Sequence, residues 1–314
     1  MYICICKYTL FLFNGKINPM KKEKIRFAIF GNEYQAKKSQ AVFKLIAILQ
    51  QHEAEVYIDR PFYEFITEGQ RMDVNANGVF DDDDFTADFA VSMGGDGTLL
   101  KTASRVGSKQ IPIIGVNIGR LGFLADVNPS EIEQAISAIY ANDYHVREHS
   151  VIKIETNNGD EVIGSPYALN DIALLKRDHA SMISIRASID DEYVMTYQAD
   201  GLIVTTPTGS TAYSLSNGGP IIAPYTGTLC LTAVAPHSLN VRPIVVPDTS
   251  VITLKVESRS HSFLAAVDGR SSGLTEGTVV TISKAPFSTR IVRFAHRHYF
   301  ATLRDKMMWG ADLR

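Results

Sequence analysis

Cysteine is scarce in this 314-residue chain: Cys4 and Cys6 lie at the extreme N-terminus and Cys230 stands alone in an apolar run. Such spacing builds neither a disulfide framework nor a zinc pattern, and a reducing cytoplasm is the expected setting. An excess of one charge is also missing. With 31 Lys and Arg against 34 Asp and Glu, the net charge of -3 leaves no footprint for nucleic acid or an anionic membrane. The apolar run within MYICICKYTLFLFNGKINP, residues 1–19, is shorter than the ~18 residues that would span a bilayer. No small-residue cleavage site follows it. Met20 then opens MKKEKIRFAIF, so Met20 is the expected natural start and residues 1–19 an upstream misreading or a disordered leader. There is no internal repeat, and no low-complexity segment beyond residues 81–84. What remains is ordinary globular composition with enough chain for two domains. The expected partner is a small molecule caught by local geometry.

From residue 25 to about 143, apolar runs alternate with helical spacing: KIRFAIF, a helix over 38–52, EVYI, DFAVSM and IPIIGV. That rhythm belongs to an α/β domain with an open, mostly parallel sheet. Its last helix carries a capping-box pattern, Ser130 with Glu133, followed by Ile132, Ile136 and Ile139 at helical spacing. Beyond His145 the texture becomes short β-rich runs between turn residues, among them VIKIET, ALNDIALL, MISIRASI, EYVMTYQ, LCLTAV, VITLKV and TVVTI. These predict a β-rich, sandwich-like second domain. The tail regains helical spacing, with Phe300, Leu303, Met307 and Met308 able to share one face and pack back on the first domain. The expected division is a leader over 1–19, an α/β domain over 20–143, a β-rich domain over 144–290 and a returning segment over 291–314.

Within the first domain, MGGDGTLL at 93–100 follows an apolar run and precedes a helical stretch. A glycine-rich turn at the carboxyl end of a parallel strand lets backbone approach a phosphate, and the next helix N-terminus offers free N–H groups. Glycines 94, 95 and 97 supply backbone freedom there. The carboxylate of Asp96 repels a phosphate unless it has a task, either taking a proton from a hydroxyl nucleophile or helping to hold Mg²⁺. The plainer alternative is a tight turn with Asp96 capping the helix. A second constellation, TPTGSTAY at 206–213, gathers five hydroxyl residues behind Asp200-Gly201 and ahead of Gly218-Gly219-Pro220. Hydroxyls and amides suit ribose and phosphate, and a Ser/Thr-rich hairpin loop is the alternative.

Taken together, GGDGT at 94–98, NIGRLGFL at 117–124, Asn170-Asp171, the 200–220 segment, HSLNVRP at 237–243, Asp268-Gly269 and the 306–310 segment resemble the NAD kinase family. That family shares GGDGT with the diacylglycerol, sphingosine and phosphofructokinase group. The resemblance, which runs from about residue 24 to 310, implies phosphoryl transfer from ATP to the 2′-hydroxyl of the adenosine ribose of NAD, with a divalent metal ion such as Mg²⁺. It also implies a homo-oligomer, dimer or tetramer, while the charge balance predicts no nucleic-acid or membrane partner. Carried over position by position, Asp96 is the general base, while Gly97 and Phe123 line the NAD pocket. Asn170 and Asp171 hold ribose hydroxyls, Asp200 the nicotinamide end, and Thr211, Ala212 and Ser216 the adenine and ribose, with Tyr213 packing near the adenine. Gly94, Gly95, Gly97 and Thr98 belong to the ATP phosphates. Many relatives have Asn-Glu where this chain has Asn170-Asp171, so that contact with the ribose is lost or passes through water. No metal ligand is identified. A GGDGT-type lipid or sugar kinase and a non-catalytic NAD or nucleotide sensor are the competing readings.

Three further features stand apart. Asp73, Asn75, Asn77, Asp81 and Asp84, with Gly78 between them, have the spacing of a calcium loop, though the last position lacks the longer Glu; the alternative is an acidic surface loop. His296 and His298 sit two apart, at a spacing that suits metal ligation or a structural role. Arg242 is expected near ligand phosphate or at a subunit contact, with a salt bridge inside the β-domain as the alternative.

Overall fold

The computed structural model describes residues 24–31, 39–69, 73–119, 122–160, 162–177, 182–294 and 299–308. The leader, Arg120, Leu121, His296 and His298 lie outside them. The first sheet has seven strands in the order Gly78–Phe80, Glu55–Asp59, Arg26–Gly31, Phe89–Gly94, Ile113–Asn117, Thr289–Arg293 and His145–His149. All neighbours are parallel except the last pair. Phe89–Gly94 and Ile113–Asn117 are buried along their whole length, as strands covered on both faces must be.

Helices α1 (Ser39–Gln51), α2 (Arg60–Glu64), α3 (Asp96–Val106) and α4 (Ile132–Tyr140) flank this sheet. Alternation along the strands divides its core. Ile29, Val91 and Ile114 pack with Leu45 and Leu49 of α1 and Ile136 of α4. Ala28, Ala90 and Ile113 pack with Leu99, Ala103 and Val106 of α3 on the opposite face.

The second body consists of two six-stranded antiparallel sheets. Their inner faces share one core that includes Ile154, Ile185, Leu254 and Val280 from one sheet and Leu174, Leu202, Leu231 and Phe263 from the other. This is the β-sandwich expected from the short alternating runs. It carries α5 (Tyr213–Ser216), and the chain ends in α6 (Tyr299–Met307).

Four local readings are corrected. His145–His149, which the texture assigned to the second domain, pairs with Thr289–Arg293 in the first sheet; a β-run cannot announce which sheet will claim it. The capping box is formed by Asn128 and Glu131 around Pro129, not by Ser130 and Glu133, because a 3₁₀ turn over Pro129–Glu131 starts the helix early. In α6, Leu303 is buried while Phe300 and Met308 are more than half exposed, so the predicted apolar face does not pack as a unit. The calcium-loop reading fails because Gly78–Phe80 is a strand paired with Tyr57–Asp59. Asn77 Oδ1 accepts the Val56 N–H at 2.8 Å, and Asp81 pairs with Arg60.

Candidate active site

The strand Phe89–Gly94 delivers the chain into a turn at Gly95, and α3 begins at Asp96. None of the glycines at 94, 95 and 97 has a positive φ, which corrects the expectation that they serve unusual backbone angles. Their value is steric. A Cβ on Gly94 would lie 2.0 Å from Thr98 Oγ1, whereas one on Gly95 or Gly97 would meet nothing within 4 Å. The backbone at Gly95 and Gly97 therefore faces open space at a helix N-terminus, where unpaired N–H groups attract anions.

Asp96 does not cap its own helix. Its Oδ2 accepts the Phe123 N–H at 2.8 Å, and its Oδ1 accepts those of Leu124 and Ala125 at 3.0 and 3.1 Å. The two motifs MGGDGTLL and NIGRLGFL are thus halves of one structure. Gly122 is required by the contact, because a Cβ there would fall 2.0 Å from Asp96 Oδ1. On the other side of the turn, Arg293 donates to the carbonyls of Leu124 and Phe123 and pairs with Asp126 at 2.5 Å. From α6, Lys306 Nζ stands 3.7 Å from Asp96 Oδ2 and 4.3 Å from the centre of the Phe123 ring.

A second carboxylate repeats the arrangement. Asp268, in the hairpin turn between Ser262–Val267 and Arg270–Thr275, accepts the N–H groups of Leu169, Asn170 and Asp171 at 2.8, 2.8 and 3.1 Å. The Asn170 carbonyl in turn accepts Thr205 Oγ1 at 3.0 Å and the Thr206 N–H at 2.9 Å. TPTGSTAY is therefore packed directly on the Asn170-Asp171 pair. Its hydroxyls are largely structural: Thr206 Oγ1 donates to Leu169 O at 2.6 Å and Ser210 Oγ to Pro207 O at 2.7 Å. Thr206 and Ser210 are thus engaged within the fold, as the hairpin-loop alternative expects of them.

Two cavities flank α3. The smaller, about 330 Å³, is lined by Leu100, Asn170, Asp171, Ala212, Tyr213 and Asp268 among others. The larger, about 750 Å³, has Gly31, Asp59, Thr98, Lys101, Arg105, Asp268 and Arg270 in its wall. Thr98, Lys101 and Arg105 follow one another at three- and four-residue spacing and so share one helix face. Arg105 pairs with Asp59 at 3.0 Å and with Asp83, and donates to the carbonyls of Asp81 and Asp82. It pins the acidic segment to the cavity rim. Asp268 borders both cavities.

The candidate residues are therefore distributed. Asn170, Asp171, Ala212 and Tyr213 share the smaller cavity and Thr98 faces the larger. Asp96, Gly97 and Phe123, together with Thr211, Ser216, Gly94 and Gly95, stand in the wall of neither. Asp200 pairs with Lys176 at 2.8 Å. Arg242 folds onto its own loop, donating to the carbonyls of Leu239 and Val241. Asp268, Arg270 and Lys306 received no role from the sequence. Asp268-Gly269 has the signature of a turn, and nothing in a helical tail indicates that its lysine will reach Asp96.

Burial, reinforced by the charge of Asp268, pushes the Asp171 carboxyl up to about 7. For Asp268, burial outweighs its N–H donors and also raises the carboxyl above the ordinary range. Between the ordinary 3.8 and about 7, the folded chain holds a proton at Asp171 that the unfolded chain releases. The contribution of this group is therefore greatest at acid pH and declines as pH rises, by up to ~1.4 kcal/mol per pH unit. Asp171→Asn should flatten the dependence of Tm on pH between 4 and 7 and raise Tm at pH 8. Thermal melts across that range check it, and a variant keeping the wild-type slope would refute the assignment.

Comparison with known proteins follows this division. Residues 27–144 match the ATP-NAD kinase N-terminal domain and residues 169–294 the ATP-NAD kinase C-terminal domain. An NAD kinase of Bacteroides fragilis is 54% identical over 290 residues, covering 92% of this chain and 100% of the relative. An NAD kinase of Porphyromonas gingivalis is 42% identical, with 92% and 99% covered. Among solved structures, an NAD kinase from Archaeoglobus fulgidus in complex with ATP superposes with a TM-score of 0.69 at 26% identity, covering 90% of this chain and 99% of that one. Yeast NADH kinase complexed with NADH shares the fold, with a TM-score of 0.84 at 22% identity over 94% and 90% of the two chains. Matched through both of its domains and nearly end to end by such relatives, the chain belongs to the NAD kinase family.

Proposed function

We propose that this protein transfers the γ-phosphoryl group of ATP to the 2′-hydroxyl of the adenosine ribose of NAD, forming NADP, with Asp96 as the general base. The observation that carries the reading is the open backbone at Gly95 and Gly97, at the N-terminus of a helix whose Thr98 and Lys101 line one cavity and whose Leu100 lines the other. Phosphoryl transfer is mainly positioning and charge neutralisation, so two substrates meeting at such a helix need no covalent intermediate. The smaller cavity, with Asn170, Asp171, Ala212 and Tyr213, is assigned to NAD, and the larger, with Thr98, Lys101 and Arg270, to ATP. Asp200, Thr211, Ser216 and Phe123 extend the NAD site and Gly94 the phosphate turn.

Magnesium is assigned to the substrate as its ATP complex. Among the described residues no three His, Cys, Asp or Glu side chains come together as a metal site, and Asp59 and Asp83 are engaged by Arg105. An ion that keeps water and travels on phosphates needs no such protein cage. When bound it neutralises charge on the triphosphate. We place the protein in the cytoplasm as a dimer or tetramer; no helix among the described residues is long and apolar enough to cross a membrane.

Incubating the purified protein with NAD, ATP and Mg²⁺ should yield NADP, read by an NADP-specific coupled dehydrogenase. Absence of product with NAD, with NADH and with polyphosphate as donor would sink the reading. Solution mass measurement addresses the assembly.

A further inference from the structure

The geometry points to Lys306 as a catalytic cation, delivered by α6 to the oxygen of Asp96 that receives the acceptor hydroxyl. This rests on the kinase reading above. The Oδ1 atom of Asp96 is occupied by two backbone N–H groups, from Leu124 and Ala125, while Oδ2 takes one, from Phe123. Oδ2 is also the oxygen that faces Lys306, at 3.7 Å.

That separation is too long for a direct hydrogen bond, and the other contact of the ammonium is the Phe123 ring at 4.3 Å. Both contacts act through charge, so among the described residues they leave the N–H donors of Lys306 available to an incoming oxygen. Because 3.7 Å is less than twice a hydrogen-bond length of ~2.8 Å, a single hydroxyl oxygen can lie within reach of both groups. It would donate its proton to Oδ2 and accept from Nζ.

The position of the cation is built into the fold. Leu303, one helical turn before Lys306 on the same face, is buried at 2% exposure, and Tyr299 OH donates to Ile222 O at 3.5 Å. The residues between, Arg304 and Asp305, are exposed. Helical spacing therefore turns Lys306 toward Asp96 wherever Leu303 is seated. The stacked ring belongs to Phe123, whose own N–H holds Oδ2, so one residue orients both partners of the pair.

In the transfer step, the 2′-oxygen of the ribose forms a bond to the γ-phosphorus and its proton passes to Asp96 Oδ2. The bond from the γ-phosphorus to the oxygen bridging to the β-phosphate breaks, and ADP leaves with that electron pair. Lys306 stays protonated throughout. Its charge lies beside the attacking oxygen and the transferring group, where negative charge must be accommodated as the bond forms. A purely structural role would make it an ordinary, partly exposed ion pair, for which little effect on turnover is expected.

Lys306→Met keeps the unbranched stem of the side chain, one atom shorter, and removes the cation. We expect kcat to fall ~100-fold, the scale of losing one preorganised electrostatic donor, with KM for NAD and Tm nearly unchanged. Lys306→Arg should recover ~10-fold of the loss, since it restores charge over the ring. Retained kcat in Lys306→Met overturns the proposal. So does a loss confined to KM, or a fall in Tm with no rescue by arginine. Wild-type protein that forms no NADP would remove the kinase reading itself, a result distinct from an active wild type matched by an active Lys306→Met.

Discussion

Asp96→Asn is expected to lower NADP formation by ~10³-fold, within the range attributed to a positioned general base, and to lower Tm by a few degrees as well. The first effect is chemical, because an amide cannot take the hydroxyl proton. The second comes from the turn that Asp96 holds. An asparagine oxygen can keep the N–H groups of Leu124 and Ala125, but its NH₂ must then face the Phe123 N–H and the Lys306 ammonium. Donor meets donor, and leaving the Phe123 N–H unpaired costs ~1–3 kcal/mol. From sequence alone the substitution would be a clean deletion of the base. Coupled assays, calorimetric titration with NAD and thermal melts separate the two effects. Wild-type turnover in the variant would refute the base, and an unchanged Tm would refute the clamp.

Gly209→Ala should be the most damaging single methyl group in TPTGSTAY, costing on the order of 5 kcal/mol and abolishing soluble, active protein. Its Cβ would lie 2.3 Å from the Asn170 carbonyl oxygen and 2.5 Å from Thr205 Oγ1. Neither atom can yield, since that carbonyl also accepts from Thr205 Oγ1 and the Thr206 N–H. Movement would displace the Asn170-Asp171 pair and with it the wall of the smaller cavity. Gly273→Ala is the control. It lies on the edge strand of the sheet that holds Asp171 and Thr205, its Cβ would meet nothing within 4 Å, and it should cost less than ~1 kcal/mol. Soluble yield, circular dichroism and Tm of the two variants check the contrast; equal stability would show that the 209 position has slack.

Much of the candidate site was legible because its motifs are local. Gly94, Gly95, Asp96 and Thr98 declare a phosphate turn by residue type and order. The sequence also carried the pairing of an α/β sheet with a β-sandwich, since alternation with period two and helical spacing are properties of a short window. The same windows misplaced the capping box by two residues and assigned His145–His149 to the wrong sheet. They could not tell which hydroxyls of TPTGSTAY the fold's own carbonyls would take, and those of Thr206 and Ser210 are so taken.

The sequence by itself determined the family, the two kinds of sheet and the identity of Asp96 as the residue to question first. Only the tertiary structure decided what Asp96 touches. The amides of Phe123, Leu124 and Ala125 and the ammonium of Lys306 reach one carboxylate from distant parts of the chain. Asp268 likewise borders both cavities from a hairpin that reads as an ordinary turn. Backbone N–H groups have no residue-type signature, and a charge acts through its distance in space, so neither partnership could be read along the chain.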